Sequence, residues 1–107
     1  MKQIKFKHDG KEYILAYTRE SVERLEKEGF DVRNVNSMPI STIPMLFRGA
    51  FYANHSDISK EKIEELYRLF KDKQKLIEVL GEMIADPINS LFEEPDEKNA
   101  IAWDAIL

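Results

Sequence analysis

"IKFKHDGKEYIL", residues 4–15, decides the fold. Two runs that alternate apolar with charged residues meet at Asp9-Gly10, a pair favoured in two-residue type I′ turns because both central positions need positive φ. A turn there predicts the register: His8 opposite Lys11, Lys7 opposite Glu12, Phe6 opposite Tyr13, Lys5 opposite Ile14 and Ile4 opposite Leu15. One face of the hairpin then carries Ile4, Phe6, Tyr13 and Leu15. The other carries Lys5, Lys7 and Glu12 with Ile14, as expected when one face lies on a core and the other meets water. A lone hairpin is marginal in water, so the rest of the chain must cover it.

The covering elements read as helices. Thr18 is placed to cap the first, with Tyr17 stapling onto Val22, and Gly29-Phe30 to end it in a Schellman turn that closes on Leu25; the helix spans about 19–28. "FDVRNVNSMPISTIP" reads as irregular, and Pro44 is expected in the first turn of a second helix capped by Ser41 or Thr42. That helix, "IPMLFRGAFYAN", is apolar nearly all round and marks the centre of the core, with Leu46, Ala50 and Phe51 against Phe6, Tyr13, Leu66, Phe70 and Leu80. Gly49 and Ala50 allow another element to approach closely. Ser59 caps a third helix bearing Ile63, Leu66, Tyr67 and Phe70; Asp72 caps a fourth bearing Leu76, Ile77, Leu80, Met83 and Ile84; Asp86-Pro87 opens a short final turn. The expected class is α+β, mainly helical: an N-terminal β-hairpin packed on a bundle of about four helices.

The chain of 107 residues has room for one such domain, assigned to residues 1–92, followed by an acidic linker and an apolar docking segment over 93–107. The net charge of −4 resides in that last part: residues 86–107 hold Lys98 against six acids, while the rest is nearly balanced. With no basic stripe, nucleic acid is not an expected partner. With no signal-like or membrane-length apolar run, the expectation is a protein of the cytoplasm, off the membrane. Absent cysteine rules out disulfides and thiolate chemistry.

No catalytic constellation emerges. His55, Ser56 and Asp57 are the residue types of a hydrolase triad, but sequence neighbours rarely take up relay geometry, and a capped loop is the plainer reading. His55 and Asp57 lack nameable further metal ligands, and the four dispersed glycines form no phosphate loop. The expectation is no enzyme, cofactor or metal. What remains is binding surface: Met45, Phe47 and Tyr52 exceed the needs of one small core and suggest a symmetric dimer. "AIAWDAIL", residues 100–107, suits an induced helix with Ile101, Ala102, Ala105 and Ile106 on one face and Trp103 and Leu107 on another, docking on its own domain or on a partner with Trp103 as anchor.

The order of "IKFKHDGKEYILAYTRESVERLEKEGF", "PISTIPMLFRGAFYANH" and "DPINSLFEEP" resembles tail assembly chaperones encoded by siphophages and prophages of Gram-positive bacteria, over about residues 2–95. The resemblance implies a non-catalytic protein that binds the tape measure protein, keeps its apolar surface from aggregating, helps recruit tail tube subunits and is absent from the mature virion. It carries no residue-level binding motif. A structural tail or head-tail connector subunit, or a small cytoplasmic adaptor unrelated to phage, are the competing expectations.

Overall fold

The structure, a computed structural model, describes residues 2–107. Strands β1 (Ile4–His8) and β2 (Lys11–Leu15) form the hairpin in the expected register, and Asp9 (φ 51°) and Gly10 (φ 77°) supply the two positive φ values of a type I′ turn. Five α-helices follow: α1 (Arg19–Lys27), α2 (Asn34–Ser37), α3 (Pro39–Gly49), α4 (Lys60–Leu69) and α5 (Lys73–Asn89). The class is therefore α+β, a two-stranded hairpin packed on a mostly helical bundle.

Local chemistry sets the helix ends. Thr18 accepts a hydrogen bond from the Ser21 amide, while the Ser21 hydroxyl accepts from the Thr18 amide, closing a reciprocal capping box. At the other end of α1, Gly29 (φ 100°) turns the chain so that the Phe30 amide donates to the Leu25 carbonyl and the Gly29 amide to that of Glu26, a Schellman motif. Ser59 and Asp72 cap α4 and α5 as expected.

The structure departs from the sequence reading at two prolines, and the stretch read as irregular also contains the single turn of α2. The helix read as starting near Ser41 or Thr42 begins at Pro39, so the irregular stretch shrinks and Pro44 lies inside α3. Pro39 is suited to the first turn because it has no amide to leave unsatisfied. Pro44 removes the donor owed to the Ile40 carbonyl, but both residues are solvent-exposed, where water can serve that carbonyl. Likewise α5 runs unbroken through Pro87 to Asn89 instead of yielding to a separate turn. Its end is secured from outside: the Ser90 hydroxyl donates to the Pro87 carbonyl at 2.6 Å, and Arg19 donates from Nη2 to the Ser90 carbonyl at 3.0 Å. A guanidinium at orphan C-terminal carbonyls is favourable by both hydrogen bonding and the helix dipole.

α3 also stops at Gly49, so Ala50 and Phe51 lie in the tight turns that follow, held by amide bonds back to Phe47 and Arg48. Both are nonetheless fully buried, with Leu46, Leu66, Leu80 and Ile84, in the cluster that the inner hairpin face closes. Phe51 meets Tyr13 edge-on at 6.3 Å and Phe47 at 5.2 Å; Phe6 stacks on Tyr13 at 4.9 Å and meets Phe70 edge-on at 4.9 Å. Tyr17, buried beneath α3, donates its hydroxyl to the Leu46 carbonyl at 2.6 Å, and burial pushes its phenol up.

Residues 93–107 lie outside this packing. They carry one 3-10 turn, Glu97–Asn99, and no helix over 100–107. The arm is exposed throughout. The radius of gyration, 16.7 Å, exceeds the ~13 Å of a compact domain of this size, and the longest dimension reaches 56 Å.

Candidate docking surface

The residues singled out as surplus apolar surface fall into three environments. Phe47 is a core residue, 2% exposed, and its place in a partner surface is corrected: Tyr67 and Phe70, edge-on at 5.0 and 5.5 Å, cover the side of the helix that the sequence left free. Met45 is half-buried against the same core.

Tyr52 is half-buried and already engaged within the chain. Its hydroxyl donates to Glu28 Oε1 at 2.7 Å and accepts from Arg48 Nε at 3.2 Å, while the Arg24 guanidinium lies over its ring, 3.7 Å from the centroid. Arg24 and Arg48 also pair with Glu28, at 3.3 and 3.6 Å. The cluster ties α1 to the end of α3. Partial desolvation works to raise the Glu28 carboxyl, but hydrogen bonds from Tyr52 and Arg24 and the charges of Arg48 and Arg24 outweigh it and hold the group below its ordinary value.

A carboxyl depressed in the folded state contributes stability above its unfolded value and loses it as pH falls through the folded one. Glu28→Gln is accordingly expected to cost under about 1 kcal/mol at neutral pH, as for accessible ion pairs. The difference from the parent should shrink below about pH 4.3 and vanish in stronger acid, as followed by denaturant midpoints across that range. An equal deficit at pH 3 and pH 7 would place its origin outside the carboxylate.

Ile101, Trp103, Ile106 and Leu107 form the third group, and all four are exposed, Ile101 at 87% and Trp103 at 80%. Nothing in the core waits for them.

His55 is engaged within the fold. His55 Nε2 accepts the Ile14 amide at 3.0 Å, and the Asn54 side chain donates to the Ile14 carbonyl at 3.2 Å. These bonds, with that from the Ala16 amide to the Ala50 carbonyl at 3.0 Å, fasten the end of β2, over residues 14–16, to the turn between α3 and α4. Ser56 and Asp57 make no relay with His55. His8 lies at the hairpin turn, 3.3 Å from Asp9. Among the described residues, no group of three or more His, Asp or Glu is arranged to hold a metal, and no helix is long and apolar enough to cross a membrane.

Two apolar grooves escaped the sequence reading. One, of about 420 Å³, runs between β1 and the corner joining α4 to α5, lined by Phe6, Lys7, His8, Leu66, Leu69, Phe70 and Lys71. The other, of about 380 Å³, lies between α1 and the end of α5, walled by Val22, Val32, Ile88 and Leu91. Leu69, Val32 and Leu91 were the available signal: each is a large apolar residue off the helical stripes.

Hairpin, helices and exposed arm define a small α+β domain whose open features include the two apolar grooves and a smaller pocket of about 200 Å³ beside Arg24, Glu28, Arg48, Tyr52, His55 and Ser56. Over residues 1–107 the chain matches the family model described as a domain of unknown function, DUF5055, and it belongs to that family. No curated protein and no solved structure matches it.

Proposed function

We propose that this protein is a non-catalytic tail assembly chaperone of a siphophage or prophage, one that binds the tape measure protein and helps recruit tail tube subunits in the host cytoplasm. The observation that supports this reading is the arm. Its apolar residues stand clear of a core that is complete without them, behind a linker rich in acids, and an exposed Trp-bearing segment of this kind suits capture of another protein. The two open grooves add surface for a long apolar partner. The resemblance of residues 2–95 to tail assembly chaperones is what favours the tape measure protein as that partner.

The test is co-expression with the tape measure protein of the phage or prophage that encodes this chain. The full chain is expected to keep that protein soluble and to co-purify with it, deletion of residues 96–107 to lose most of the complex, and mass spectrometry of purified particles to lack this chain. Its presence in finished particles would favour a structural tail or connector subunit instead. A tape measure protein equally soluble without it would overturn the chaperone reading.

A further inference from the structure

The hairpin has two edges, and the rest of the fold covers only part of one, on β2. In a two-residue hairpin the pairs His8/Lys11, Phe6/Tyr13 and Ile4/Leu15 exchange the ladder hydrogen bonds, so the backbone groups of Lys5 and Lys7 point outward on β1. Of the corresponding backbone groups on β2, the Ile14 amide and carbonyl are taken by His55 and Asn54 and, just past the strand, the Ala16 amide by the Ala50 carbonyl, which leaves only Glu12 beside the turn open among the described residues. Those of Lys5 and Lys7 meet no partner among the described residues. The groove lined by Phe6, Leu69 and Phe70 borders this open edge, since it takes three consecutive residues from β1 and none from β2. Its polar lining is Lys7, His8 and Lys71, with no carboxylate.

We propose that this open edge receives residues 100–107 of a second copy of the chain as a third strand. The occupant follows from pattern and charge. The segment forms no helix in the structure, and drawn out as a strand it places Ile101, Trp103 and Leu107 on one side and Asp104 and Ile106 on the other, at the period of two that a strand imposes. β1 itself reads the same way, with Ile4 and Phe6 inward and Lys5 and Lys7 outward. Added to β1, the arm lays Trp103 toward the groove floored by Phe6 and Phe70 and sets Asp104 on the lysine face. Beside it, residues 93–107 carry one lysine against five acids, while β1 carries two lysines and no acid.

Lysines on an edge strand guard it against pairing with its own kind. The same charge selects an acidic strand, so the edge rejects a second β1 and admits the arm. The linker, residues 93–99, reaches up to about 23 Å when extended, and reciprocal exchange of two arms closes a two-fold dimer. This pairing is argued from the chain's own geometry, not from the tail-assembly reading, although both use the arm; its test uses the purified full chain alone, so failure to dimerise is told apart from failure to bind a tape measure protein.

Sedimentation over a concentration series, with hydrogen exchange at each end of it, tests the exchange. A monomer–dimer equilibrium is expected, in which the Lys5 and Lys7 amides exchange freely in dilute solution and slow as dimer forms. Trp103→Ala, at an exposed position that the fold does not need, should weaken the dimer by about 30-fold or more, the usual scale for a buried aromatic anchor. Asp104→Lys should weaken it about fivefold, and Lys5→Glu in the same chain should restore it. A chain that stays monomeric to the order of 1 mM overturns the proposal. So does a monomer whose Lys5 and Lys7 amides are already slow, which means that the arm docks on its own edge. A dimer indifferent to Trp103→Ala, with both amides still fast, overturns it in favour of another face.

Discussion

Phe51→Ala is expected to lower the stability of the fold by about 3–5 kcal/mol, the cost of emptying a buried aromatic site whose surroundings relax only in part. Phe51 is fully buried and touches three layers at once: Tyr13 from the hairpin, Phe47 from α3, and His55, whose ring lies 6.3 Å away and whose Nε2 accepts the Ile14 amide of β2. Neighbours held by hydrogen bonds on one side and by other rings on the other cannot all move into the void. Against the 5–15 kcal/mol typical of a domain, the loss leaves a protein near its unfolding threshold. Urea unfolding should show a large fall in midpoint with an unchanged slope. Phe92→Ala, at a side chain 78% exposed, should move the midpoint by no more than about 0.5 kcal/mol equivalent and serves as the comparison. A midpoint scarcely altered in Phe51→Ala would mean that the ring does not hold hairpin and helices together.

The hairpin was legible to the residue because its turn chemistry admits one register, and one register assigns every side chain to a face. The caps at Thr18, Ser59 and Asp72 were legible for the same local reason. The centre of the core, Leu46, Ala50 and Phe51, followed from a segment apolar on most sides. That same property hid the role of Phe47: a helix without a polar face gives no indication of which side is covered, and the answer came from Tyr67 and Phe70, some twenty residues on. The contacts of Tyr52 were hidden for an equivalent cause, since Arg24 and Glu28 reach it from α1. Pro39 and Pro44 are each acceptable in a first turn, and only the buried Thr42 and Leu46 show that the helix is already formed before Pro44. The parity of β1 was readable, but which hairpin edge the α3–α4 turn would bind depends on how the layers pack.

Two glycines in helices make opposite predictions for one substitution. Replacing an interior helical glycine with alanine gains about 0.5–1 kcal/mol by restricting the unfolded chain and improving helix propensity. At Gly81, inside α5, a Cβ would meet nothing within 4 Å, so Gly81→Ala is expected to stabilise by that amount. At Gly49, the last residue of α3, a Cβ would collide with the Leu25 side chain, which is itself fully buried at the contact between α1 and α3. Leu25 has no solvent to retreat into, and the Schellman turn at Gly29 fixes the backbone of its helix just beyond. Overpacking of this kind costs about 1–3 kcal/mol, which exceeds the smaller gain expected at a helix end. Gly49→Ala is therefore expected to destabilise by about 1–2 kcal/mol. The cycle that isolates the cause adds Leu25→Ala: alone it should cost about 2–5 kcal/mol, and in that background Gly49→Ala should become neutral or favourable, because the new methyl then occupies vacated space. Purely additive effects in the double variant would mean that the close approach of α1 to α3 is not what requires glycine at this position.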